Sequence, residues 1–387
     1  MASASRPQHQ RKKEQELAFG PFGFLNPTIR RYPLSWKLPV REQERQSDGD
    51  GGEEEGPKDG EEGQGSGNGG QTKKDVIRAE EVQREYRTRD NRKGRHAIFV
   101  IPEIAANAKY LTPPATNTLR ATIHGILRMF TWAPYWDVSY LVAVVFTFGS
   151  MVWCINAFFV WLPLQDPGTE FEGEITTAGG ITAFIGATIF EFGSVLLMLE
   201  AVNENTADCF GWALEEVLEE NGLIRVKPDG CTHHHKNRKN LIGKGQAPEG
   251  ATIFWISGFT ALPPIFDRLT STAAQNGAYW LPQVIGGTGF IISGTLFMLE
   301  TQEKWYLPAT GVLGWHIGAW NLIGGIGFTL CGALGFASSN SGCVYQGSLA
   351  TFWGSWCFLI GSVIQWYESL DKHPVHVDDE VESESTS

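Results

Sequence analysis

Charge is absent from three long stretches of this chain. Val138 to Gln165, Leu269 to Leu299 and Trp305 to Tyr367 contain no Asp, Glu, Lys or Arg. A soluble domain needs charge across its surface, whereas uncharged runs holding about 20 apolar residues suit a bilayer. Cysteine is also scarce. Cys154, Cys209, Cys231, Cys331, Cys343 and Cys357 follow no regular spacing, which argues against a disulfide framework. No short apolar run with a cleavage site lies near Met1, so no secretory signal peptide is expected. There is no phosphate-binding loop, nucleophile elbow, zinc-protease helix or dinucleotide fingerprint. The chain is therefore expected not to be an enzyme and to need no cofactor.

What is present points the same way. Fourteen Trp and 45 Gly fit a membrane protein, since Trp collects at bilayer interfaces and Gly is tolerated in membrane helices. The mean hydropathy of -0.16 averages polar tails with very apolar segments. The net charge of -12 belongs to tails and loops, so it says little about partners.

One pattern recurs along the apolar part. Gly186, Phe190, Gly193, Ser194 and Glu200 are matched one hundred residues later by Gly286, Phe290, Ser293, Gly294 and Glu300. A third copy has Gly354, Phe358, Gly361, Ser362 and Glu368. On a helix the Gly, the Phe and the first small residue share a narrow stripe, with the Glu at its edge. Small residues beside a ring let helices in lipid approach closely, so these glycines read as packing residues, with pore lining as the alternative. Weaker copies carry Phe146, Gly149, Ser150 and Asn156 in one segment, and Gly324, Phe328, Cys331, Gly332 and Ser338 in another.

Taken in order, residues 1–96 form an expected disordered tail, rich in Gly, Ser, Glu and Gln. It holds an aromatic island, Phe19 to Phe24 with Tyr32 and Trp36, and ends in the basic residues Arg87, Arg89, Arg92, Lys93 and Arg95. With a membrane so close, those basic residues suit a topology signal or lipid headgroups better than nucleic acid. Residues 97–136 are membrane-proximal. Within them Leu119, Ile123, Ile126, Leu127 and Phe130 share one face of an amphipathic helix lying on the membrane before Pro134. Residues 137–370 form the bundle, and 371–387 an acidic tail.

Six spans are expected, near 137–162, 178–199, 251–266, 278–299, 311–336 and 349–367. The third is short. Gly250-Ala-Thr-Ile-Phe254 repeats Gly186-Ala-Thr-Ile-Phe190, yet the apolar residues that should precede Gly250 are missing, as a deletion or a mis-joined exon would leave it. The expected fold is an all-α polytopic bundle of three helical hairpins. Both termini and the polar loop 201–250 are expected in the cytoplasm, because that loop carries Arg225, Lys227, Lys236, Arg238, Lys239 and Lys244. Within the same loop, Thr206 to Glu220 reads as an amphipathic helix. The carboxylates Glu200, Glu300 and Glu368 would then share the cytoplasmic face. Helix carboxyl ends do not favour anions, so three of them there call for a cation, a basic partner or a nearby Lys such as Lys304 or Lys372.

Glu191 stands apart, because no other copy of the pattern has a charge in its place. An ionisable group at mid-membrane depth usually faces a bundle interior or a wet cavity. Asn321 at similar depth, and His316 nearer the cytoplasm, are its candidate partners in a polar intramembrane site. A hydrogen-bonded structural Glu and a lipid-facing one are the alternatives. Cys231, His233, His234 and His235 are weak metal candidates, since their spacing matches no standard zinc site.

Residues 250–263, the His-rich loop before them and the Gly361-Ser362…Glu368 signature resemble a family of uncharacterised fungal integral membrane proteins. The last signature is also similar to the small YrhK-like membrane domain. The resemblance covers roughly residues 97–370 and implies further sequence between the His-rich loop and Gly250. It implies a membrane location and no activity. Two function classes follow: a transporter of small solutes or ions, or a non-catalytic scaffold or sensor recruiting partners through its tail and loop.

Overall fold

The computed structural model describes residues 18–20, 29–33, 82–95, 97–100, 115–202 and 246–377. Strands β1 (Ala18–Phe19), β2 (Ile29–Pro33) and β3 (Val82–Arg87) lead into a short helix, α1 (Thr88–Arg92), and then β4 (Ala97–Val100). Helix α2 (Leu119–Thr131) precedes the bundle, formed by α3 (Val138–Gln165), α4 (Gly179–Val202), α5 (Gln246–Thr260), α6 (Leu281–Leu299), α7 (Leu313–Gly335) and α8 (Ser341–Ser369). A last strand, β5 (Val375–Val377), follows.

The bundle helices are apolar all round, as helices buried in lipid or protein are. Five segments are long and apolar enough to cross a membrane: Val138–Gln165, Glu174–Ala201, Thr272–Leu299, Leu313–Gly335 and Ser341–Ser369. At 15 residues α5 spans only about 22 Å, short of the roughly 30 Å hydrocarbon core. It stands where the sequence leads one to expect a short third span, but it is not among the five segments long and apolar enough to cross. The chain is thus built as an integral membrane protein, with Phe148, Phe192, Ile292 and Trp356 exposed on its flanks where lipid would cover them.

Each bundle helix packs on the next, and α8 packs back on α3, so the six close into a ring. Phe146, Phe190, Phe254, Phe290, Phe328 and Phe358, one from each helix, meet inside it. Their rings contact in a chain, for example Phe146–Phe190 at 5.3 Å, Phe254–Phe290 at 5.3 Å and Phe328–Phe358 at 5.5 Å between centroids. Glycine makes room for this packing. A Cβ on Gly186 would lie 2.9 Å from Trp153, one on Gly193 2.9 Å from Phe146, and one on Gly286 2.5 Å from Phe254. A Cβ on Gly294 would meet the Leu322 backbone nitrogen at 2.6 Å. Those on Gly354 and Gly361 would sit 3.2 Å from the Gly324 carbonyl and 3.3 Å from Trp320. These glycines are packing residues.

The five strands form one sheet in the order β1-β2-β3-β4-β5. Successive pairs are antiparallel except β4–β5, which is parallel and matches Ile98 with Val375 and Phe99 with His376. Two expectations change here. Residues 82–95 were grouped with the disordered tail by their polar composition, but they form β3 and α1, and Arg89, Asp90, Arg92, Lys93 and Arg95 are buried. Residues 375–377, grouped with the acidic tail, complete the sheet. Composition misleads in both places because the partners are distant in sequence: bundle carboxylates for residues 89–95, and β4 with Thr116 for residues 375–377. The helix expected at 206–220 and the Cys231, His233, His234 and His235 cluster lie outside the described residues.

Candidate functional site

Three helix carboxyl ends converge at one end of the ring, those of α4, α6 and α8. Each carries a carboxylate near its last turn: Glu200, Glu300 and Glu368. Helix dipoles place partial negative charge at those ends, so the carboxylates add to an already unfavourable field. The compensation comes from one short stretch of chain. Arg89 grips Glu368 with both guanidinium arms, Nη1 donating to Oε1 at 2.9 Å and Nη2 to Oε2 at 2.7 Å. The Lys93 ammonium donates to Glu368 Oε2 at 3.2 Å, and Arg95 lies 3.9 Å from Oε1. Arg92 holds Glu300 in the same two-armed way, at 3.0 and 2.7 Å. Glu200 accepts from the Ser139 hydroxyl at 3.1 Å. For Glu300 and Glu368 the basic partner is therefore the chain's own residues 89–95, while Glu200 is held by Ser139. These residues are not exposed to headgroups, as their sequence position suggests, because α1 lies across the carboxylates instead. Gly314 leaves space for the cap, since a Cβ there would sit 2.7 Å from the Arg89 guanidinium.

Burial opposes the charge on Arg89, but Glu368, Asp90 and Glu200 outweigh it and hold the guanidinium more firmly protonated than usual. Beside this layer Asp137 caps α3, accepting from the Tyr140 N–H at 3.2 Å, and pairs with Lys372. Here burial outweighs pairing on both sides. It lifts the Asp137 carboxyl to about 6 against the opposing pull of Lys372, and it lowers Lys372 despite Asp137. A carboxyl raised in the folded state contributes stability at low pH and loses it as pH rises through the folded value. Lowering pH from 7 to 4 is therefore expected to stabilise the wild type relative to Asp137→Asn by about 2 kcal/mol, read as a rise in its melting temperature relative to that of the variant. An unchanged difference across that window would show that Asp137 titrates normally.

Toward the ring centre from the carboxylates lies an axial cavity of about 60 Å³. It is large enough for on the order of four waters. Its polar lining is Ser150, Ser194, Ser293, Asn321, Ser362 and Gln365, and its apolar wall includes Phe146, Phe190, Phe290 and Phe358. Every bundle helix except α5 contributes to it. The buried Ser150 hydroxyl has no hydrogen-bond partner among the described residues.

The candidate polar site comes apart in the structure. Asn321 lines the cavity, but Glu191 does not. Glu191 sits in the seam between α4 and α5, where Oε1 accepts from the Thr252 hydroxyl at 2.7 Å and the buried Oε2 has no partner among the described residues. Trp255 Nε1 donates to Thr188 in the same seam at 3.0 Å. His316 is near the start of α7, its Nε2 2.8 Å from the Thr310 carbonyl. Sequence reasoning missed Gln365 and Ser150 as cavity residues. Ser150 was visible as a small residue of the pattern, while Gln365 carried no signal beyond being polar within an apolar run. Comparisons with family models, with curated proteins and with solved structures find no match to this chain.

Proposed function

We propose that the protein carries a small neutral polar solute across a membrane, with the axial cavity as its binding site, and that it is not an enzyme. The observation that carries this reading is the unpartnered Ser150 hydroxyl facing a polar cavity inside an otherwise apolar ring. A buried hydroxyl without a partner costs about 1–3 kcal/mol, which water or a solute hydroxyl would recover. The lining has hydroxyls and amides but no charged side chain, which favours neutral solutes over ions. The bundle has the form of a closed state, with the phenylalanine cluster on one side of the cavity and the ion-paired cap on the other.

Vesicles containing the purified protein test this, with glycerol and urea as probe solutes and light scattering as the readout. Flux above that of empty vesicles is expected, falling at least tenfold when Ser293→Leu fills the cavity. Vesicles no more permeable than empty ones, both with the wild type and with Arg92→Gln to loosen the cap, would end the transport reading. We also place the carboxylate end in the cytoplasm, supported by Arg120, Arg128, Lys304 and the basic residues between 225 and 244. Labelling a cysteine at position 304 in intact cells, expected only after permeabilisation, checks that orientation.

A second reading, a scaffold or sensor, draws on the sheet. Residues from both ends of the chain gather in it beside the charged cap, giving one folded surface outside the bundle. Protein partners retained by the wild type and lost on deletion of residues 1–81, with no solute flux, would favour this reading.

A further inference from the structure

Helix α2 presents three different faces. At about 100° per residue, Leu119, Ile123, Ile126, Leu127 and Phe130 form one stripe. All five are exposed, Leu119 and Phe130 to 78% and 79%. Gly125 and Met129 form a second face against the bundle. Met129 is buried with Tyr140 and Leu370, and a Cβ on Gly125 would meet the Tyr367 ring at 2.5 Å. Between these faces run Arg120, His124 and Arg128, one turn apart. They line a groove of about 500 Å³ whose opposite wall is Tyr367, Leu370 and Asp371 at the end of α8.

The apolar stripe has none of the described residues over it, and Trp132, Tyr135 and Trp136, all exposed, follow it directly. Such a sequence of side chains belongs at the boundary between hydrocarbon and headgroups. The groove opens beside that stripe, with Arg120, His124 and Arg128 on its wall. Arg128 is held there by its Nη1, which donates to the Leu370 carbonyl at 3.2 Å. The side chain of Arg120 makes no hydrogen bond among the described residues, which leaves its guanidinium to face the groove.

We propose that this groove binds the headgroup of an anionic glycerophospholipid. Arg120, His124 and Arg128 face its phosphate, Asp371 faces a hydroxyl or ammonium on the headgroup, and the acyl chains lie along the apolar stripe. The chemistry favours phosphatidylinositol or phosphatidylserine, which carry both the anion and a donor for Asp371. The assignment rests on the membrane location of the bundle and is independent of whether the axial cavity carries a solute. It also gives the headgroup contact a different place from residues 89–95, whose basic side chains are taken up by Asp90, Glu300 and Glu368.

The test is native mass spectrometry of the full chain in detergent, titrated with phosphatidylinositol, phosphatidylserine or phosphatidylcholine. Saturable binding of the two anionic lipids is expected, with phosphatidylcholine at least tenfold weaker. One basic residue near a membrane surface is worth about a fivefold change in affinity. Arg120→Gln is therefore expected to weaken binding about fivefold, and Arg120→Gln with Arg128→Gln on the order of twenty-fivefold. Arg268→Gln, at the opposite end of the bundle, is expected to leave it unchanged. Arg120→Gln alone guards against misfolding, because that side chain makes no hydrogen bond among the described residues. Equal binding of phosphatidylcholine, or anionic-lipid binding unchanged in the double variant, overturns the proposal. So does inorganic phosphate displacing the lipid at equal concentration, which would mark a simple anion pocket.

Discussion

Arg89→Ala is expected to lower the stability of the folded protein by about 3–5 kcal/mol, read from thermal unfolding in detergent micelles. The Glu368 side chain has no solvent exposure, so the loss strands a carboxylate rather than releasing it to water. Both close bonds to its oxygens from Arg89 would go, leaving Lys93 at 3.2 Å and Arg95 at 3.9 Å. Three helix carboxyl ends would keep pressing their field on the same spot. Arg89→Lys should restore only part of the loss, since an ammonium cannot grip both oxygens in one plane. Arg92→Ala should cost less, because the Glu300 side chain is 16% exposed and water can take over. A loss for Arg89→Ala below about 1 kcal/mol would mean that the pair is no more than a surface salt bridge.

Phe328→Ala is expected to cost a similar amount, about 3–5 kcal/mol, by opening a void at the ring centre. Phe328 is 1% exposed and touches Trp153, Phe254 and Phe358, with centroids 4.8, 5.5 and 5.5 Å away. Lipid tails are as apolar as the ring interior, so helices gain nothing by escaping water there. Contacts between fitted side chains carry the association, and Phe328 supplies contacts to three partners. Phe192→Ala is the control. That ring is 66% exposed on the outer flank, and its loss should cost under about 1 kcal/mol. Equal losses for the two variants would show that the aromatic cluster does not hold the ring closed.

The bundle was legible in the sequence because its signals are local. The spacing from Phe190 to Glu200 fits within one helix, and so does the spacing from Phe290 to Glu300. Helix periodicity alone then aligns the ring-facing residues. The short third helix was legible for the same reason, from the letters Gly250 to Phe254. The carboxylate end was half legible. Three Glu at helix ends announced a need for positive charge, but nothing local said where it would come from. Arg89 and Glu368 are 279 residues apart, and a polar stretch such as Val82 to Arg92 reads as tail until its partner is known. Glu191 stood out in the sequence as the one charge in its place among the copies of the pattern. Its neighbour proved to be Thr252 in the adjacent short helix rather than Asn321, because which flank of α4 meets α5 depends on the closure of the ring and not on depth alone.

The wide separation of Arg89 and Glu368 also fixes an order of events. On the ribosome Arg89 is made 279 residues before Glu368, and β5 later still. Until α8 has entered the membrane, the basic segment has no carboxylate from that helix to grip, and β4 has no fifth strand beside it. The part of the cap built on Glu368 therefore closes only once α8 has been made, whereas the Arg92–Glu300 pair needs only α6. A product that stops short of α8 keeps Asp90 beside Arg89 and Arg95 but lacks the carboxylate that Arg89, Lys93 and Arg95 share.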